Sequence, residues 1–323
     1  MAPQNPTPSG PPGGPPSSAV ADLPVAATAV ASFASVFGQL GLVAQAAKGA
    51  FFMLMGAWAI SFILPTGGGA GFFLFLISLA ASSHFGVNWC RVMLLGPAGL
   101  PARSLSWGPI QWRFLGYGML LFLIMMLMTI PLSAVGSVLA SILGLMSSPT
   151  DLGPGFFVVG LLMFLGALYV LARLGFVFPA VAVGEEYGLG LSWQHSAGQG
   201  LRLTAALFAA GLPIVVGQLL LAAFLFQMLL GVSIGELMPA PGQGLPGEVA
   251  PGAATPGSAV SPREAPSILS VVFFNVISTV ANFLSFAVLF SLLCLAFRTC
   301  TGWVPASGGN LPAGPLEDEN NGQ

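Results

Sequence analysis

The sequence predicts an all-α polytopic membrane protein, a transmembrane helical bundle of about six spans. Three observations predict it. Only 6% of the 323 residues are charged, 55% are hydrophobic, and the mean hydropathy is +0.90. A soluble domain carries about 25% charged residues and could not cover its surface from this composition. Six apolar runs reach or approach the ~20 residues that cross a bilayer as a helix. The basic residues gather on one side of those runs, as the positive-inside rule expects. A net charge of -2 offers no whole-molecule attraction to nucleic acid.

The elements follow in order. Residues 1–25, with MAPQNPTPSGPPGGPPSS, lack the basic and apolar regions of a signal peptide and read as a disordered Pro/Gly/Ser-rich tail. The transmembrane domain is expected over 26–302, with spans at 49–64, 71–89, 114–132, 156–173, 203–232 and 268–297. Lys48 would snorkel at the start of the short first span. The third run stays apolar to Met146, too long for one straight span, so Pro131 should kink it or end it. The Pro/Gly/Ala-rich stretch 238–266 reads as a flexible outer loop, and 303–323 as a second disordered tail.

Orientation follows from charge. Lys48, Arg91, Arg103, Arg113, Arg202 and Arg298 fall on the side shared by both termini, and only Arg263 lies opposite. Both termini are therefore expected in the cytoplasm. Arg173 lies about 25 Å along a helix entered near Phe156, which is headgroup depth. Arg91, Arg113, Arg173 and Arg202 are expected to anchor at the interface, reaching lipid phosphate or water. Trp107 and Trp193 would lie in the same layer, where amphipathic rings prefer to sit. Arg91 and Arg173 introduce similar passages: an apolar run, a link, LSW, a weakly amphipathic stretch, an arginine and the next helix. This is either an internal duplication or two hairpins shaped by the same interface.

WCRVMLLG (Trp89–Gly96) and RLGFVFPAVAVG followed by LSW (Arg173–Trp193) resemble the cytoplasmic signatures of a group of uncharacterised bacterial six-span integral membrane proteins. That group is similar to the membrane domain attached to some glycerophosphodiester phosphodiesterases. The resemblance implies a membrane architecture and a bacterial inner (plasma) membrane. In the fused proteins hydrolysis belongs to a separate soluble barrel, for which this chain has no room, so no catalytic residue carries over.

Chemistry is sparse. All ten acidic residues lie outside the expected spans, which disfavours a proton relay of carboxylates. HExxH, GxSxG and P-loop patterns are absent, and Cys90, Cys294 and Cys300 show no metal or disulfide spacing. No catalytic residue, metal or cofactor is expected. Glu185 and Glu186 read as a solvated loop, and His195 as an interfacial hydrogen-bonding residue. Two polar stripes remain. Asn275, Ser278, Asn282 and Ser285 share a face of the last helix, and His84, Asn88 and Arg91 a face of the second, with Gln218 on the fifth. Amides in hydrocarbon are costly unless paired, so His84, Asn88, Gln218, Asn275 and Asn282 are expected to bond between helices rather than line a polar path. The small residues Ser133, Gly136, Ser137, Ala140, Ser141 and Gly144 predict tight helix packing. The expected function is a structural or interaction module of the membrane, not an enzyme, with membrane lipids and other membrane proteins as partners. The alternative is a carrier or channel for a lipid or small amphiphile.

Overall fold

In the absence of water a membrane-spanning backbone must satisfy its own hydrogen bonds, and a chain this apolar does so as helix. The computed structural model describes residues 23–61, 68–142, 144, 154–230 and 268–305. Among the described residues every regular element is helical: α1 (Val25–Phe37), α2 (Leu40–Ser61), α3 (Gly68–Leu95), α4 (Pro109–Ile142), α5 (Pro154–Leu174), α6 (Val177–Ala182), α7 (Leu189–His195), α8 (Gly200–Leu230) and α9 (Ile268–Thr301), with a 3-10 turn at Pro97–Gly99. Six of them, α2, α3, α4, α5 with its continuation α6, α8 and α9, are long and apolar enough to cross a membrane. The chain is a multi-pass helical membrane protein.

Several bounds differ from the sequence reading. The first long helix starts at Leu40, not near residue 49, because AQAA before Lys48 is strongly helix-forming. A shorter helix, α1, precedes it and packs on α8 and α9. Its small buried face (Thr28, Ala29, Ser32) permits close approach. Pro131 lies inside α4 rather than ending it. The loop expected at 238–266 and the tails at 1–22 and 306–323 lie outside the described residues.

All seven lysines and arginines of the described residues sit toward one end of the bundle, here called the basic end. The tight core is in that half. At its centre is α9, which buries 50% of its most apolar window, whereas α4 buries 6% and runs at the periphery. Trp89 on α3 is fully buried and donates its indole N–H toward Ala287 O and Ser291 Oγ on α9, both at 2.9 Å. Helix α6 turns inward after Gly175. A Cβ there would meet Leu171 O and Leu293 Cδ2, so glycine is required at the bend. All six residues of α6 are buried, against α3, α4 and α9. Phe178 joins Phe114 and Phe290 in an aromatic group with centroids 4.8–6.2 Å apart. Cys90 and Cys294 meet in this core, and all three cysteines are free and buried. In the opposite half α4 and α5 pack through small residues: Gly136 lies under Val159, and Gly166 under Leu132.

Candidate functional site

Two arrangements of polar side chains stand out, one in each half. At the basic end both connecting loops, 96–108 and 183–199, fold back onto the bundle. Each is held by a polar side chain of the preceding helix pair. Arg173, the penultimate residue of α5, is 8% exposed. Its NH1 donates to Ser196 O and its NH2 to Trp193 O, each at 3.0 Å, so it caps the C-terminal end of α7. Cationic groups are favoured there by the helix dipole. The guanidinium carbon lies 4.1 Å from the Trp193 ring centroid. In return, the hydroxyls of Ser192 and Ser196 donate to Arg173 O at 2.9 and 3.1 Å. Two helix ends thus satisfy each other's orphan carbonyls.

In the other loop His84 plays the corresponding part. Its Nε2 lies 2.9 Å from Ser104 O, which can only accept, so Nε2 carries the proton. Its ring stacks on Trp107 at 6.0 Å and 10°. Asn88 Nδ2 approaches His84 Nε2 at 3.2 Å and donates to Ala46 O at 3.5 Å. Gly49 gives Ser104 O the space to come between α2 and α3. His84 Nδ1, Asn88 Oδ1 and Trp107 Nε1 are buried without a protein partner.

The structure corrects the outward placement of Arg173: its guanidinium is engaged by loop carbonyls instead of reaching lipid phosphate or water. The cause is the fold-back of 183–199, which the anchoring reading did not include. Arg91 is half-buried with an unpartnered Nε, while Arg113 and Arg202 are exposed. Trp107 is half-buried and Trp193 is 44% exposed. His195 Nδ1 lies 2.7 Å from the Tyr187 hydroxyl. Burial first, and then the charge of a Cys300 thiolate, push the Tyr187 hydroxyl up from 10.0 to about 12. Arg113, Tyr117, Glu185, Glu186 and Tyr187 border an open surface cavity of about 300 Å³.

The second arrangement lies toward the opposite end, between α2, α3 and α9. A cavity of about 330 Å³ is bordered there by Ser78 and Ser82 of α3 and by Asn275, Ser278, Thr279 and Asn282 of α9, with Trp58 of α2. The polar face of the last helix, expected to bond between helices, borders this cavity over part of its length. Asn282 is exposed, and Asn275 donates to Val271 O of its own helix at 2.9 Å. One interhelical amide link does form. Gln218 of α8 donates to Asn282 Oδ1 at 3.3 Å and Ser285 Oγ at 2.8 Å. His84 and Asn88 do not border this cavity. Sequence reasoning missed Ser78, Ser82 and Trp58. The signal available was the i, i+4 serine pair, which marks a face of α3 different from that of His84 and Asn88.

Among the described residues, no three of His, Cys, Asp and Glu come together as metal ligands. No protein-family model, curated protein or solved structure matches the chain. The resemblance drawn from WCRVMLLG and RLGFVFPAVAVG therefore rests on those motifs alone, and the class defined by fold and sites is that of a multi-pass helical membrane protein.

Proposed function

We propose that the chain is a non-catalytic structural or interaction module of the bacterial inner membrane, with both termini in the cytoplasm. The observation that carries this reading is the reciprocal clasp at the basic end. Arg173, Ser192 and Ser196, the groups best suited to chemistry in that region, are engaged in holding loop 183–199 to the bundle. The gathering of the basic residues at one end supports the orientation, and the motif resemblance supports the bacterial membrane. A second reading, a carrier for a lipid or small amphiphile, is favoured by the polar cavity on α2, α3 and α9. Against passage through the bundle stands α6, buried along its length at the basic end.

Reconstitution separates the two. Under the structural reading, purified protein in liposomes leaves the transbilayer movement of a fluorescent lipid and the leak of a small dye at the level of empty vesicles. Protein-dependent lipid movement would replace it with the carrier reading. Reporter fusions at both termini check the orientation independently.

A further inference from the structure

We propose that the cavity between α2, α3 and α9 binds the uncharged, hydroxyl-bearing headgroup of a membrane amphiphile, with the acyl chain in the adjoining apolar cavity. This goes beyond the structural reading and does not depend on it.

The first support is the behaviour of the hydroxyls. Elsewhere in the bundle many helical Ser and Thr return to a carbonyl of their own helix, as Ser83 to Leu79, Thr204 to Gly200, Ser285 to Ala281 and Thr299 to Leu295, while Ser192 and Ser291 pair with another element. That back-bond is the usual way to satisfy a hydroxyl in hydrocarbon. Ser78, Ser82, Ser278 and Thr279 depart from it. Among the described residues none of the four has a hydrogen-bond partner, and all four border this cavity. Thr279 is only 7% exposed, and its unpaired hydroxyl is not among the fully buried polar atoms, so what accessible surface it has opens on this cavity.

The second support is the absence of charge. The lining offers hydroxyls and amides, which both donate and accept, and no ionisable side chain. A phosphate or ammonium would find no counter-charge there, at a depth where unpaired charge is costly. A polyol, which also donates and accepts through each oxygen, fits the lining. Trp58 at the rim, 36% exposed, offers an apolar face to the C–H side of such a group.

The third support is the neighbouring space. A largely apolar cavity of about 530 Å³ lies between α2 and α9, lined by Val43, Ala47, Phe51, Val280 and Leu284, with one charged residue, Lys48, that does not border the polar cavity. Phe283 borders both cavities. A polar chamber beside an apolar one matches an amphiphile, and the polar volume is at the low end of small-molecule sites, about 300–1,000 Å³. The headgroup is a sugar or a bare glycerol, which share this chemistry.

The test uses the full-length protein in phosphatidylcholine nanodiscs doped with monoglucosyl diacylglycerol, diacylglycerol or phosphatidic acid, with retained lipid measured by mass spectrometry after purification. A neutral hydroxyl lipid should be enriched over phosphatidic acid by about tenfold or more. Whether the glucolipid or diacylglycerol is retained more strongly identifies the source. The near-isosteric double variant Ser82→Ala/Thr279→Val should lower retention roughly tenfold at an unchanged melting temperature. Trp58→Leu, at the rim, provides a second variant. Equal retention of phosphatidic acid, no enrichment of any neutral lipid, or undiminished retention in both variants would each overturn the proposal.

Discussion

Arg173 and Thr279 are about equally buried, at 8% and 7% exposed. Arg173 is nevertheless held by two carbonyls, a ring face and two serines bonded to its own carbonyl, while the Thr279 hydroxyl has no partner among the described residues. The difference comes from the backbone around them. In the basic half, loops 96–108 and 183–199 return to the bundle and bring carbonyls that no helix has used. In the other half the described chain is regular helix, whose backbone bonds are internal. A polar side chain there pairs chiefly with an i−3 or i−4 carbonyl of its own helix or with another side chain. Loop carbonyls thus hold polar side chains such as Arg173 and His84 as structural cement in the basic half, even though His84 Nδ1, Asn88 Oδ1 and Arg173 Nε stay without a partner there, while the Thr279 hydroxyl in the other half has no such carbonyl to pair with.

The largest expected effect comes from breaking the cement. Arg173→Leu removes two charge-assisted hydrogen bonds, each worth about 1.5–3 kcal/mol, and leaves Trp193 O and Ser196 O without that partner. It also removes the stack on Trp193, worth about 0.5–2 kcal/mol. A loss on the order of 3–5 kcal/mol is expected, read as a lower unfolding midpoint in detergent and faster protease cleavage within 183–199. Arg173→Lys keeps the charge but not the fork, so it should fall between wild type and Arg173→Leu. If Arg173→Leu melts with the wild type, the clasp is not what holds this loop.

The helices and the membrane class were legible because composition and apolar run length report directly on the solvent. The two loops were half legible. LSW in each passage pointed to an interfacial tryptophan, and each tryptophan does lie on a polar side chain, but the partner differs. It is Arg173 for Trp193 and His84 for Trp107, two turns before the arginine that the sequence pattern aligned. Sequence spacing reports position along a helix and carries no information on whether a loop folds back. The bend into α6 was missed for a similar reason. VFPAVA reads as a continuing apolar run, and only Gly175 and Pro179 hint that the helix breaks there. The cavity was legible on one wall, as the stripe of Asn275, Ser278 and Asn282. Its other wall, Ser78 and Ser82, depends on which face α3 turns to α9, which no single segment encodes.

A smaller effect should distinguish the two loops by pH. Tyr187 lies between α6 and α7, with its hydroxyl 2.7 Å from His195 Nδ1. Its pKa in the fold is raised from 10.0 to about 12, chiefly by burial. The fold therefore favours the neutral phenol. The contribution is fully present below pH 10 and is lost as pH rises through about 12. Hydrogen exchange near Tyr187 should accelerate across that window, beyond the ordinary base-catalysed rise seen in loop 96–108. Tyr187→Phe should remove the excess. An identical profile in both loops would place the pH response elsewhere.

The smallest effect is expected at Thr279, and its smallness is the point. Replacing a paired buried hydroxyl normally costs about 1 kcal/mol. Thr279 is buried but unpaired, so Thr279→Val, which keeps the β-branched shape, removes a polar group without breaking a bond. Stability in detergent should be unchanged or slightly raised. Ser285→Ala supplies the matched control on the same helix. Its hydroxyl donates to Ala281 O and accepts from Gln218 at 2.8 Å, so its loss should be measurably destabilising. Residues arranged for a ligand commonly reduce the stability of the protein without it. The sign of Thr279→Val therefore bears on why the cavity is polar. A clear loss of stability on Thr279→Val, comparable to Ser285→Ala, would show that this hydroxyl has a structural partner in the folded bundle, and its contrast with Arg173 would be gone.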